Sequence, residues 1–520
     1  MNLEEALREA LQGDAAEVVP VGPGPEDARR RAFRRRRRMH AGVVAVSALA
    51  LAGASLAVVE SRSSGPGPRV QAQPSSSQTT PELAWRAVDG TVLYQSAHFT
   101  TSDGITYALS TAPGATGNDL SQMAQYLYAT HDGVNWSHTS LGEHPWVADL
   151  AGNDGVLYAV GTGPGSVGNA VDYSLSTSSD GGANWTPTAI PVSFTPPAAS
   201  VRLIPSTSVR VAHRDHTTVV IASADYSPDF SSMHDGKVYI ASADGVQVID
   251  PATCKLAHDA SGARCDETPT TTKSWSDFGI SDPGALHQVV ALVRPDGGSW
   301  SDPVSIPTKA GTWDEDVSAT TNGFLLSEMT SPSPSPSPGS GTVQLLSSTD
   351  GRTWTPLGGV PAVDTVSMSG DRVIGVDSRT SAVYTSNDGG ATWSGGTDVA
   401  DLAGGAGTVA PYASVVDVGP LGYAVVVQKQ TPRTDPPSAK TGGTLAPDAS
   451  ATHSYLLYSA DGNAWKITDL DSVGAPAGAS VANTSVGADH IDVTFQDPIA
   501  GSGNGPTTSK LTTLVGTPRA

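Results

Sequence analysis

The chain has 520 residues, among them 56 Gly, 38 Pro and 2 Cys, and its 51 acidic against 30 basic side chains give a formal charge of −21. An acidic excess of that size excludes the basic face a nucleic-acid partner requires; it favours solubility without pointing to a ligand. The length exceeds one typical domain, and abundant Gly, Pro, Ser and Thr with few long apolar runs fit a many-turned all-β protein.

In chain order, residues 2–11 place Leu3, Ala6, Leu7, Ala10 and Leu11 on one face, with Asn2 and Glu5 spaced as a capping pair, so a short amphipathic helix is expected there. It is either a solvated or membrane-surface helix or a docking element for a cytoplasmic partner. Residues 13–28 are a Pro/Gly-rich spacer. Eight arginines between Arg29 and Arg38 then precede residues 41–59, which carry no charge. At about 1.5 Å per residue such a run spans roughly 28 Å, close to the hydrocarbon thickness of a bilayer. The arginines predict a cytoplasmic head over 1–40, a transmembrane helix over 41–59, and the remainder outside. Small residues at Ala52–Ala54 and Ser55–Ala57 leave open a cleaved, secreted form, and Arg30–Arg31 hints at a twin-arginine route. Residues 60–82, rich in Ser, Pro and Gln, have too little apolar content to order themselves and are expected to be a stalk.

Residues 83–520 carry a repeat. Its clearest copy runs from Tyr384 to Trp393: a strand-like run meets Ser386-x-Asp388-Gly389-Gly390 and leaves through Trp393. This pattern predicts a hairpin in which the glycines take positive φ, the carboxylate accepts its own turn's N–H groups, and the Trp packs under a neighbouring unit. The same residues recur at Thr130, Asp132, Gly133 and Trp136; at Ser178, Asp180, Gly182 and Trp185; at Ser348, Asp350, Gly351 and Trp354; and at Ser459, Asp461, Gly462 and Trp465. Two partial copies are Ser242-x-Asp244-Gly245, lacking the Trp, and Asp296-Gly297-Gly298-x-Trp300, lacking the Ser. The pattern resembles the Asp-box, or BNR repeat, of sialidase-like β-propellers. That resemblance implies a ring of four-stranded antiparallel blades, with each box a structural hairpin away from the binding face. The family includes sialidases and non-catalytic receptors, so the fold alone assigns no chemistry.

Parsed this way, the chain yields seven blades, with six to eight tolerable. One spans roughly 90–142, others 146–190, 313–360 and 409–471, another runs from 362 to an outer strand starting at Trp393, and residues 199–306 hold one or two blades plus an insertion. The C-terminal strands lack an outer partner; the segment from Leu83 to Val88, with Trp85 where a box Trp would stand, supplies it and closes the ring. Insertions between the second and third strands, at 111–124, 163–171, 224–235, 331–341 and 429–453, emerge at the end opposite the boxes. A protein or glycan ligand is therefore expected on that loop-rich top face.

Catalytic signatures are sparse. The stretch from Val201 to Pro205 is the nearest to a sialidase arginine motif but lacks its aromatic residue, and the glutamates beyond the apolar run are Glu60, Glu82, Glu143, Glu267, Glu315 and Glu328. His213 and His216, three apart around Asp215, are expected to be turn residues, and Asp314-Glu315-Asp316 a solvated acidic turn; no metal site and no cofactor is predicted. Cys254 and Cys265 are expected to pair as a disulfide in an oxidising compartment. The sequence therefore points to a membrane-anchored extracytoplasmic propeller acting as a non-catalytic binding, sensing or scaffolding module. The alternative is a cell-surface glycoside hydrolase of the sialidase-like (exo-alpha-sialidase) superfamily.

Overall fold

A computed structural model describes residues 79–519 except 89–96, 112–124, 142–145, 154, 163–171, 193, 195–200, 205–207, 229–237, 243–244, 250–255, 260–261, 266–270, 281–285, 309–311, 331–340, 403–411, 431–451 and 497–510. The head, the apolar run 41–59 and most of the stalk lie outside the described residues, as does Cys254; nothing describes the side chain of Cys265. Among the described residues no helix is long and apolar enough to cross a membrane.

Seven antiparallel sheets form the seven blades of a β-propeller, each built from alternating apolar strands joined by tight turns. Inner strand first, blade 1 comprises Ala97–Thr100, Thr106–Thr111, Gln125–Thr130 and Ser137–Ser140; blade 2 comprises Trp146–Asn153, Val156–Thr162, Tyr173–Ser178 and Thr186–Ile190. In blade 3 the inner edge is split into Val201–Ile204 and Val209–Arg214, both paired with Thr217–Pro228, followed by His287–Pro295 and Val304–Ile306. Blade 4 comprises Thr312–Thr320, Gly323–Thr330, Thr342–Ser348 and Thr355–Pro356, and blade 5 Thr365–Ser369, Arg372–Asp377, Ala382–Ser386 and Thr397–Asp398. Tyr412–Gly419, Gly422–Gln430, Thr452–Ser459 and Lys466–Asp469 make blade 6.

Blade 7 uses both ends of the ring. Ser480–Val486, Ile491–Gln496 and Leu511–Pro518 are completed by Leu83–Val88, in a register that runs from Leu83 opposite Pro518 to Val88 opposite Thr513. The expected closure is thus the observed one, and it is reinforced on either side. The buried Thr80 hydroxyl donates to the Ala464 carbonyl at 2.7 Å, and the Arg519 N–H to the Glu82 carbonyl at 2.8 Å. No sheet edge of blade 7 is left unpaired on that side, which removes a template for edge-to-edge association.

In six of the seven blades one tryptophan serves the packing between blades. Trp185, Trp300, Trp354, Trp393, Trp465 and Trp85 each join an apolar cluster that contains residues of the preceding blade. Large rings at the base of these six outer strands thereby bury area where a narrow strand alone could not.

Of the one or two blades expected over residues 199–306 one is present, and the expected insertion, between its second and third strands, forms separate small sheets: Val238–Ser242, Gly245–Ile249 and Thr271–Lys273, then Leu256–Asp259 with Gly262–Cys265. Three other expectations are corrected. The partial copy at Ser242 and Gly245 belongs to this insertion, closing its first hairpin, and does not join a third to an outer strand. In blade 5 the outer strand begins at Thr397 and not at Trp393, because the indole turns under its own hairpin and donates to the Gly390 carbonyl at 2.9 Å. Finally, Asp314–Asp316 is no solvated turn but part of the inner strand of blade 4, where the register shifts between Trp313 and Glu315.

Candidate functional site

Antiparallel connectivity sends the Ser/Thr-x-Asp-Gly turns to one end of the ring and the second-to-third-strand insertions to the other. At the turn end the geometry repeats. In blade 5 the Ser386 hydroxyl donates to Asp388 Oδ1 at 2.8 Å and accepts the Gly390 N–H at 2.9 Å, while Asp388 Oδ1 accepts the Thr392 N–H at 2.8 Å. Ser178, Thr130, Ser348 and Ser459 likewise donate to Oδ1 of Asp180, Asp132, Asp350 and Asp461 in blades 2, 1, 4 and 6. Trp136 and Trp354 close their turns by donating to the Gly133 and Gly351 carbonyls. Hydrogen bonds from the backbone N–H and side-chain amide of Asn184 hold Asp180 at about 2; at Asp132 burial pushes the other way but is outweighed by bonds from Asn135 and Val134, again to about 2. These carboxylates are occupied by their own turns.

Near the insertion end, between blades 3 and 4, lies a buried ionisable group. His287 opens the third strand of blade 3, and its Nδ1 is 2.7 Å from Asp225 Oδ1 on the paired second strand. On its other side Nε2 is 2.6 Å from Glu315 Oε1 of blade 4, an ion-pair contact and not a straight hydrogen bond. The bulge before Glu315 re-aims that side chain into the junction, as bulges commonly do, and the Ser223 hydroxyl donates to its Oε2 at 3.1 Å. Glu315 sits directly across from Glu328, and both are buried. Burial opposes a charge on His287, but the carboxylates of Asp225 and Glu315 overcome it and raise its pKa to about 10. At neutral pH the imidazole is therefore a cation held between two anions, unable to act as a base. Beside it the insertion packs Trp275, Phe278 and Ile280 onto Ala224 and Tyr226.

At the ring's centre a second group ties several blades through one carboxylate. Asp417 of blade 6 accepts the Val486 N–H of blade 7 at 2.8 Å and the Ser367 hydroxyl of blade 5 at 3.0 Å, and its Oδ2 is 3.1 Å from His98 Nε2 of blade 1. Asp149 of blade 2 likewise accepts the Val211 N–H of blade 3 at 2.9 Å.

Of the residues singled out in the sequence, His213 is buried, stacked on Tyr158 with ring centroids 4.1 Å apart, whereas His216 is exposed and 3.3 Å from Asp296. The two imidazoles do not converge. Among the described residues no group of three or more His, Cys, Asp or Glu side chains could hold a metal ion. The backbone Val201–Ile204 lies on the inner edge of blade 3, and the Arg202 side chain is outside what is described. Sequence reasoning missed His287, Asp225, Asp417 and His98. A signal existed for Glu328, a lone carboxylate inside the apolar run G-F-L-L-S-E-M, where burial of a charge implies a partner.

No protein-family model matches the chain, and no curated protein matches it. Solved structures do: the phage phi92 endosialidase at 9% identity, covering 85% of this chain and 70% of that one with a TM-score of 0.35. A Fusarium graminearum alpha-L-arabinofuranosidase mutant in complex with an iminosugar inhibitor is 11% identical over 76% of this chain and 98% of its own, with a TM-score of 0.38. Trypanosoma rangeli sialidase in complex with the inhibitor DANA is 12% identical over 73% of this chain and 56% of its own, with a TM-score of 0.32. The likeness is one of overall fold.

Proposed function

We propose that this chain is a membrane-anchored, extracytoplasmic propeller of the Asp-box type that binds a protein or glycan partner on its insertion-bearing face and does no chemistry there. The observation that carries this reading is how the described ionisable groups are engaged. His287 is fixed as a cation between Asp225 and Glu315, and Asp417 takes contacts from three other blades. Groups held this way brace the ring and are poor candidates for proton transfer. Partner contact is then left to the insertions, among them residues 431–451, which leave blade 6 after Gln430 and return at its register partner Thr452.

Purified full-length chain in detergent, offered a panel of fluorogenic glycosides and a printed glycan array, tests this. No turnover is expected, with retention of a glycan or of an extracytoplasmic protein that disappears when 431–451 is replaced by a two-residue turn while the melting temperature holds. The second reading, a glycoside hydrolase, is favoured by the cross-strand pair Glu315 and Glu328, since paired carboxylates are what glycosidic cleavage requires. Turnover abolished by Glu315→Gln would establish it over the first.

A further inference from the structure

Six of the seven junctions between blades are sealed by buried apolar clusters: 1 with 2, 2 with 3, 3 with 4, 4 with 5, 5 with 6 and 6 with 7. Among the described residues no such cluster joins blade 7 to blade 1. The inner strands of those two blades also have the slightest contact of any neighbouring pair that is described. This is the junction at which the two ends of the ring meet, and ionisable side chains stand where the others have apolar ones.

His490, in the turn between the first two strands of blade 7, has a fully buried side chain, and Asp492 beside it is 3% exposed. The fit is tight: a methyl group at Gly133 of blade 1 would lie 2.6 Å from both Asp492 Oδ1 and His490 Cδ2, and one at Gly487, in the same blade 7 turn as His490, would lie 2.8 Å from His490 Nε2. Within this space polar pairing is incomplete. Asp492 Oδ2 is 3.5 Å from the Ser485 hydroxyl and 3.7 Å from His490 Nε2, while Oδ1 has no hydrogen-bond partner. His490 Nδ1 is 2.8 Å from Asp489. Blade 1 contributes His98 and the turn carboxylate Asp132, blade 6 contributes Asp417 bound to His98, and Asp316 of blade 4 adds a more distant charge.

We propose that the junction of blades 7 and 1 is a proton-operated seam, shut while Asp492 and His98 carry protons and loosened when they lose them, with the apolar junctions that hold no such group unaffected. An ionised carboxylate with an unpaired oxygen is costly in a space too tight to add even a methyl group, whereas the neutral acid is not. Burial accordingly raises the Asp492 pKa to about 7 against the pull of His490 and His98. At His98 burial opposes the charge, but the contact with Asp417 outweighs it and the pKa is raised. Both shifts have one sign. Each group contributes stability that is complete below its unfolded pKa and is lost as pH rises through its folded one.

Hydrogen exchange of the full-length protein in detergent, at about pH 5.5 and about pH 8 with intrinsic rates divided out, reads the seam directly. Peptides covering 484–496 and 125–133 are expected to lose roughly tenfold protection at the higher pH, and peptides at the junction of blades 4 and 5, which holds no group with a raised pKa in this range, to lose none. Asp492→Asn, a neutral shape match, is expected to shrink the difference to about twofold or less, and His98→Gln to shrink it in part. Equal protection at both pH values, a loss spread evenly over all junctions, or a full response in Asp492→Asn would overturn the proposal. Should Asp492→Asn fail to fold, the wild-type comparison between junctions decides it.

Discussion

The turn glycines show how much of this fold is decided within four residues. In blade 2, Gly181 and Gly182 both have positive φ, at +72° and +91°, so neither suits a residue with a side chain. Their surroundings differ. A Cβ on Gly181 would meet open space, whereas one on Gly182 would run into the Leu127 side chain of blade 1. Gly181→Ala is therefore expected to cost about 1 kcal/mol, the strain of the left-handed conformation alone, and Gly182→Ala about 1 to 3 kcal/mol more from overpacking. Urea unfolding of the two variants side by side checks this; equal midpoints would mean that the turn does not bear on the blade before it. Turn residues of this kind are legible in sequence because each bond in them spans only two to four positions, as from Ser178 to Asp180 and Asp180 to Asn184. His287 was not legible: its partners Asp225 and Glu315 lie far off in the chain, on another strand and another blade. Neutralising Glu315 as Gln leaves a buried imidazolium with one anion, so the pKa of His287 is expected to fall. Proton NMR of its ring titration would show no change if the 2.6 Å contact carried no charge coupling.

At the scale of elements, alternation and turn chemistry located most strands to within a few residues, and the outer strand of blade 7 was placed at Leu83–Val88 from the other end of the ring. The failures have a common cause. Residues 199–306 resisted parsing because the insertion builds hairpins of its own, whose periodicity and turn residues match those of a blade. The bulges in the inner strands of blades 2, 4, 6 and 7, such as those after Val147 and Trp313, break strict alternation and so hid which carboxylates face a neighbouring blade. The closing strand gives the sharpest test at this scale. Trp85 packs into the cluster shared by blades 6 and 7, its indole lies against Gly516, and it is only partly exposed. Trp85→Ala is expected to cost up to about 3 kcal/mol, below the range for a fully buried Trp. Removing 79–88 leaves the strand Leu511–Pro518 with a free edge, and concentration-dependent association in size-exclusion chromatography is expected. A monomer of unchanged stability would mean that the ring does not need the strand.

For the whole molecule, two families of ionisable groups pull stability in opposite directions with pH. The turn aspartates Asp132, Asp180, Asp350, Asp388 and Asp461 all have lowered pKa values, so what they contribute is present above the ordinary carboxylate pKa and is lost as pH falls below it. Asp492 and His98, with raised values, give up their contribution as pH climbs toward and past 7, and His287 does so up to about 10. The ring should therefore be most stable in mild acid, near pH 4 to 5.5, and weaker at pH 8. A second cause would produce the same trend: with 51 acidic against 30 basic side chains, self-repulsion also grows as pH rises. Salt separates them. Surface repulsion is screened over about 3 Å at 1 M ionic strength, whereas buried groups such as Asp492 and His287 are not. If the buried groups dominate, urea midpoints at pH 8 stay below those at pH 5 in high salt, and Asp492→Asn narrows the gap. If high salt alone closes it, the stability of this ring is set by its surface charge and not by the groups between its blades.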